Sequence, residues 1–144
     1  MFDLDILNFE VEKCKLFHGT AYSVPSDVGV GIRRKDTKQM LGIVSDKYEI
    51  VQYSDMAEQI SEAITKSGID LTEIDTQTIL SEDSRKLELI VRFPALARSI
   101  DGKGDIIAPE LKVRKSQDGT WANNGMMGYH RWACYNTLVD GNKL

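Results

Sequence analysis

The sequence lacks the features of a disulfide-linked, membrane-spanning or secreted protein. Its 144 residues include two cysteines, Cys14 and Cys134, which are too few for a disulfide framework. We expect both thiols to stay reduced, with a single bridge between them as the alternative. No apolar run approaches the ~20 residues that a membrane-spanning helix needs. The first five residues are acidic and lack the basic region of a signal peptide, so we expect a cytoplasmic protein without membrane contact.

The chain also lacks an excess of positive charge. The chain has 18 Lys and Arg against 22 Asp and Glu, and this formal net charge of -4 argues against nucleic-acid binding through overall charge. The charge is uneven, however, because basic side chains outnumber acidic ones within residues 101–144. A local basic surface is therefore compatible with the acidic total.

The apolar pattern predicts an α+β fold, with an antiparallel β-sheet and one main amphipathic helix (54–67) packed on it. We expect Ser54 to be the N-cap of this helix and Gly68 to end it. The stripe that faces the sheet would consist of Met56, Ile60, Ala63 and Ile64. Alternating apolar residues predict strands at residues 28–34, 40–45, 48–53, 86–93, 110–115 and 126–136. The order of three strands, a helix and further strands is typical of an α+β domain.

The same pattern predicts the domain organisation. Residues 1–27 are interpreted as an N-terminal lead-in, irregular or partly strand-forming. Residues 28–144 are interpreted as a single domain, without internal repeats or a low-complexity linker.

Cysteine and histidine occur in two pairs with the same spacing, Cys14-x3-His18 and His130-x3-Cys134. On a helix each pair would share a face, but on a strand its members lie ~13 Å apart, too far for one metal ion. Because the surroundings of His130 are strand-like, we expect neither a metal nor a Cys134–His130 catalytic dyad. A four-ligand site built from both pairs is the alternative. No catalytic signature and no cofactor motif is found, which favours a non-enzymatic protein without deciding the question.

Basic side chains cluster at residues 33–38, and basic and aromatic side chains lie close together at residues 112–132. Basic side chains interleaved with aromatic ones suit a groove for a single strand, because charges follow phosphates and rings stack on bases. The alternative is that the charges are solvated strand faces and the tryptophans belong to the core. The candidate nucleic-acid-binding residues are Arg33, Arg34, Lys112, Arg114, Trp121 and Arg131. We expect Arg131 to be partly exposed, or paired with a carboxylate such as Asp118 if it is buried.

The sequence contains six short motifs in a particular order. They are Arg33-Arg34-Lys35-Asp36-Thr37, Leu41-Gly42-Ile43-Val44-Ser45, Tyr48-Glu49-Ile50-Val51-Gln52, Ser116-Gln117-Asp118-Gly119-Thr120, Gly128-Tyr129-His130-Arg131-Trp132-Ala133-Cys134 and Asn136-Thr137-Leu138-Val139-Asp140-Gly141. In this order they resemble the phage- and plasmid-related family known as domain of unknown function 932, over most of residues 28–141. Asn136-Thr137 departs from the Asn-Gly of many relatives. Relatives also continue further, so the chain is expected to be truncated or naturally short.

This resemblance implies a mobile-element protein in the cytoplasm of a bacterial host. It also implies a remote similarity to phage single-strand annealing proteins, which form oligomers. The first hypothesis is therefore a non-enzymatic module that binds single-stranded DNA, with a homo-oligomer as a further expectation. The second is an anti-CRISPR-like protein that inhibits a host defence system, since an acidic surface can occupy a nucleic-acid channel. The third is an enzyme that acts on nucleic acid.

Overall fold

The computed structural model describes residues 1–19, 21, 24–100, 102 and 104–132. Across these residues it contains one α-helix and two antiparallel sheets, which confirms the α+β class, although one sheet was predicted. The helix α1 spans Tyr53–Lys66. The strands are β1 (Val11–His18), β2 (Val24–Arg34), β3 (Met40–Val44), β4 (Asp75–Leu80), β5 (Lys86–Arg92), β6 (Arg98–Ser99), β7 (Ile106–Ser116) and β8 (Asn124–Trp132). Two short 3-10 turns cover Leu71–Glu73 and Pro94–Leu96.

The first sheet has the order β1-β2-β3. The predicted lead-in over residues 1–27 contributes β1 to it, and β2 runs through the proposed boundary at residue 27. The lead-in also supplies core side chains, namely Phe2, Leu7, Phe9 and Val11. The N-terminal segment is therefore packed into the same hydrophobic core as the residues that follow it.

The second sheet is built around β7. This strand pairs with β5 along Glu110–Ser116 and with β8 along Ile106–Arg114, and β4 pairs with the far side of β5. The two-residue strand β6 pairs with the start of β7, beyond the end of β5. The predicted strands at 86–93 and 110–115 are confirmed as β5 and as part of β7. The predicted last strand corresponds to β8 as far as Trp132, and residues 133–136 lie outside the described residues.

The core lies on one side of the second sheet, which we call its inner face. Leu87, Leu89 and Val91 of β5 are buried there, as their alternation predicted. The helix contributes a stripe to the same core, formed by Tyr53, Met56, Ala57 and Ile64 with Ile60 partly buried. Ala63 is exposed, so its predicted place in this stripe is wrong. The opposite side of the sheet, which we call its outer face, is formed by the alternate residues of β4, β5, β7 and β8.

The segment before the helix differs from its prediction. Residues 48–52 are irregular, so the strand predicted at 48–53 is wrong, and the N-cap is Gln52 rather than Ser54. The side-chain amide of Gln52 donates to the carbonyl of Val11 and accepts from its N–H, both at 2.9 Å. These bonds hold the segment against the start of β1, and the buried Tyr53 is the first residue of the helix. Among the described residues, no helix is long and apolar enough to cross a membrane.

Candidate nucleic-acid interface

The centre of the outer face is a set of charged side chains in register. Glu88 lies opposite Arg114, and Arg92 lies opposite Glu110, in the pairing of β5 with β7. Lys112 lies between these rows, opposite Ile90. Alternate residues of a strand point to the same side, so these side chains share the outer face. Ile90 is only 4% exposed because long charged side chains surround it.

These charges are of both signs and bind one another. Arg92 Nε donates to Glu110 Oε2 at 2.7 Å, and the Arg92 guanidinium also lies 3.3 Å from Asp75. Glu88 accepts a hydrogen bond from Arg114 Nε and lies 3.6 Å from Lys112 Nζ. Two predicted nucleic-acid-binding residues, Lys112 and Arg114, therefore meet carboxylates of the neighbouring strand. We call this set the ion-pair ladder.

Trp121 lies at one end of the ladder. The loop after β7 folds back, and Trp121 donates its backbone N–H to Ser116 Oγ at 2.8 Å. Its half-exposed indole contacts two cations, with Lys86 Nζ 4.9 Å and Arg114 Cζ 5.4 Å from the ring centroid. A shallow pocket beside the ring is lined by Ile79, Ser81, Lys86, Glu88 and Trp121. An aromatic ring between two cations can stack on a base while the cations contact its phosphates.

A second aromatic pair lies on β8. The rings of His130 and Trp132 meet edge to face, with centroids 4.9 Å apart, and His130 Nδ1 lies 3.6 Å from Glu110 Oε2. In the β7–β8 register His130 lies opposite Ala108. From the Arg114 row to the Ala108 row is six residues along β7, or roughly 20 Å at about 3.3 Å per residue. The outer face thus carries aromatic rings towards both ends of the ladder.

Arg33 and Arg34 lie on β2, in the first sheet, and the structure does not place them on the outer face. Arg33 Nε donates to Glu12 at 2.8 Å. Arg34 binds Asp36 at 2.6 Å and stacks over the ring of Phe9, with its Cζ 4.0 Å from the centroid. The hydrogen bonds from Arg34 lower the pKa of Asp36 to about 2. Both arginines therefore have structural partners in and beside the first sheet.

Arg131 is exposed, as predicted, although its phase in the strand differs from the prediction. In the register of β8 it lies opposite Ile107, and so on the inner side of the sheet, away from Lys112 and Arg114. Its guanidinium forms two hydrogen bonds with Asp105, at 2.8 and 2.6 Å. The carboxylate partner is thus Asp105 rather than Asp118. Of the six predicted binding residues, the structure brings together Lys112, Arg114 and Trp121.

The residues of the alternative metal site are distributed over both sheets. Cys14 and His18 lie on β1, His130 lies on β8, and Cys134 lies outside the described residues. Cys14 Sγ lies 3.7 Å from the sulfur of Met40. Within the described part of the chain, no group of three or more His, Cys, Asp or Glu residues could hold a metal ion.

The Ser116–Gly119 motif forms the turn that supports Trp121. Asp118 Oδ1 accepts hydrogen bonds from the N–H and the hydroxyl of Thr120, at 2.9 and 2.6 Å, and Gly119 has a positive φ of 76°. The turn packs on β3, where a Cβ added to Gly42 would lie 2.5 Å from Asp118 Cα. Two motifs that are far apart in the sequence, around Gly42 and Asp118, therefore touch each other.

Lys86 is a site residue that sequence reasoning missed. It lies on β5 two residues before Glu88, so the strand alternation already placed it on the polar side. Its proximity to Trp121 depends on the return of the loop after β7, which no local pattern indicates. Glu88 and Glu110 were also missed as partners of the basic residues, because their role depends on strand register.

Comparison with known proteins identifies the family. The family model described as "Domain of unknown function (DUF932)" matches residues 40–143. The match covers β3, α1 and every strand of the second sheet, while β1 and β2 precede it. Searches of curated proteins and of solved structures find no match. Because the matched residues make up well over half of the sequence, the chain belongs to this family, as the order of its motifs predicted.

Proposed function

We propose that the chain is a non-enzymatic module that binds single-stranded nucleic acid on the outer face of its second sheet. The observation that carries the proposal is the half-exposed ring of Trp121 between Lys86 and Arg114. The ring supplies a stacking position for a base, and the two cations supply contacts to the adjacent phosphates. The rings of His130 and Trp132 supply a second stacking position on the same face.

The ion-pair ladder determines how strong this binding is. Three cations of the ladder meet three carboxylates, so phosphates compete with Asp75, Glu88 and Glu110. We therefore expect moderate affinity that rests on stacking as much as on charge. If three cations contact phosphates, log K should fall with log salt with a slope of about −2, since each contact contributes about −0.7 on single strands.

The resemblance to mobile-element proteins supports an annealing-like role in a bacterial host. A sheet that holds bases by stacking leaves their hydrogen-bonding edges available for pairing with a second strand. The module would then accelerate the pairing of complementary oligonucleotides, which is measured by the loss of fluorescence from a labelled and quenched pair.

The binding test uses fluorescence anisotropy of a labelled oligothymidine at about 50 mM salt, where phosphate contacts are strong. Trp121→Ala should weaken binding by roughly 10-fold or more, in line with about 1–3 kcal/mol for one base–aromatic stack. Arg114→Gln should weaken it and reduce the salt slope by about 0.7. Arg33→Gln is the matched control, because it removes one positive charge from the other sheet and should leave affinity unchanged.

The outcomes are distinct. Absence of binding at low salt to single strands and duplex alike would refute the proposal. Equal loss of affinity in the Arg33 and Arg114 variants would show that charge, and not this face, drives binding. Co-purification with a host nuclease complex, in place of oligonucleotide binding, would favour the inhibitor hypothesis.

A further inference from the structure

The free edges of the two sheets differ in how they are protected. The edge strand β1 carries Lys13 and Lys15 and a bulge after Lys15. The edge strand β4 is covered by the N-terminus, since Thr76 donates its hydroxyl to the carbonyl of Met1. The edge strand β3 has five residues. Lysines, bulges, coverage and short length are the usual means by which proteins prevent pairing between sheet edges.

Within the part of the chain that the structure describes, the edge strand β8 has none of these features. It is nine residues long and contains no Lys, Asp, Glu or Pro. Its one arginine, Arg131, is bound to Asp105 at the end of the strand. Met127 and Tyr129 are 70% and 72% exposed, and within the described residues β8 pairs with β7 alone. A long, exposed and apolar edge of this kind is a template for pairing with another strand.

We propose that β8 pairs with β8 of a second copy of this chain, antiparallel and centred on Gly128. The N–H and C=O groups of every second residue of β8 point away from β7. These residues must therefore lie opposite one another across the twofold axis of the dimer, the dyad. A dyad on a residue satisfies this condition, and the dyad on Gly128 pairs all nine residues. Met127 then lies opposite Tyr129 of the second copy, and Met126 lies opposite His130.

The chemistry of the strand fits a second copy of itself. The two pairs of Met127 with Tyr129 bring a thioether against an aromatic ring, which is a favourable contact. Arg131 lies opposite Gly125, so its guanidinium can keep its bonds to Asp105 and meets no like charge. A twofold antiparallel arrangement is closed, so it yields a dimer and uses up both edges. The two outer faces become continuous across the dyad, with the His130 and Trp132 rings of each copy beside it.

The first test measures mass against concentration for the full chain by sedimentation equilibrium. A strand pair is smaller than a standard interface of about 1,600 Å², so a dimer with a micromolar dissociation constant is expected. The variant Met127→Glu with Tyr129→Glu places like charges opposite each other, and dimer affinity should fall at least 10-fold. The variant Met127→Glu with Tyr129→Lys places opposite charges there and should keep the affinity within about threefold.

These two variants change the same exposed positions, so each is the folding control of the other. Equal dimer affinities of the two variants would overturn the proposed register between the two β8 strands. A monomeric wild-type chain at about 200 μM, a concentration well above micromolar dissociation constants, would overturn the proposal.

The second test is a crosslink. With Cys14 and Cys134 replaced by serine, Gly128→Cys places two thiols opposite each other at the dyad, where the distance between strands suits a disulfide. A Cβ at Gly128 meets no atom within 4 Å, so the variant should fold. Oxidation should give a covalent dimer. Gly125→Cys is the control, because its two copies would be roughly 20 Å apart at about 3.3 Å per residue. Failure of Gly128→Cys to crosslink, or equal crosslinking of both, would overturn the proposed register.

Discussion

Replacing Gly42 with alanine should destabilise the fold at the contact between β3 and the turn that supports Trp121. An added Cβ would lie 2.5 Å from Asp118 Cα and 2.9 Å from Asp118 Cβ, whereas ordinary contacts begin at 3.4 Å. The atom in the way belongs to the backbone, so a side-chain rotation cannot relieve the clash. The turn must therefore retreat by roughly 1 Å, and overpacking of this kind typically costs about 1–3 kcal/mol.

The effect can be measured by thermal and urea unfolding followed by circular dichroism. For a domain of this size, the expected loss lowers the melting temperature by roughly 5–10 °C. Gly125→Ala is the matched control, because its Cβ would meet the nearest atom, Val113 Cγ2, at 3.9 Å. This second change should leave the melting temperature unchanged or raise it slightly, since alanine restricts the unfolded chain.

The same substitution should also affect the outer face. Trp121 follows Asp118 by three residues and is held by Ser116 Oγ, so a displaced turn moves the indole away from Lys86 and Arg114. Oligonucleotide affinity should fall at temperatures where Gly42→Ala is still folded. If Gly42→Ala and Gly125→Ala unfold at the same temperature, the contact with the turn does not constrain this glycine and the reasoning is refuted.

Three further substitutions test individual contacts by urea unfolding. Gln52→Ala removes both hydrogen bonds to the backbone of Val11 and should lower the free energy of unfolding by about 1–3 kcal/mol. Tyr53→Phe removes a buried hydroxyl that donates to a backbone carbonyl at 3.2 Å, and should lower it by about 1–2 kcal/mol. Asp36 has a pKa of about 2 against an ordinary value of 3.8, because Arg34 stabilises its charged form. Its contribution to stability is therefore present above pH 3.8 and is lost as the pH falls towards 2, so Asp36→Asn should differ from wild type at neutral pH and converge with it in acid.

Each of these expectations has a result that contradicts it. Unchanged stability of Gln52→Ala would mean that water replaces the amide without loss. Unchanged stability of Tyr53→Phe would mean the same for the phenol. A stability difference for Asp36→Asn that persists unchanged near pH 2 would show that the ion pair with Arg34 is not its cause.

Much of the fold follows from local patterns, but the site does not. The alternation of Leu87, Leu89 and Val91 predicts a strand and its buried side, because burial selects every second residue. The segment at residues 48–53 has a similar strand-like composition, yet residues 48–52 are irregular, with Gln52 bound to the distant Val11, and Tyr53 begins the helix. Local composition carries no information about such a partner.

The basic residues show the same limit. Sequence shows that Lys112 and Arg114 share a side of their strand, but their carboxylate partners are fixed by the register between β5 and β7. The predicted basic patch is therefore the ion-pair ladder, in which carboxylates offset the positive charges. A turn brings Trp121 next to Lys86 at the end of this ladder. The division of the strands into two sheets also depends on pairings that no single segment specifies.

The contact between the β3 region and the turn after β7 has a consequence for folding. Tyr48 donates its hydroxyl to the carbonyl of Ser116, 68 residues further along the chain, and Gly42 packs on Asp118 beside it. Contacts between such distant residues slow folding, because the intervening chain must be closed into a loop before they form. During synthesis, the buried Val44 of β3, which lies against Gly119, lacks this cover until the turn after β7 has emerged from the ribosome. The contact between β3 and this turn would therefore be the last part of the core to form. Until it forms, the nascent chain most needs protection from aggregation.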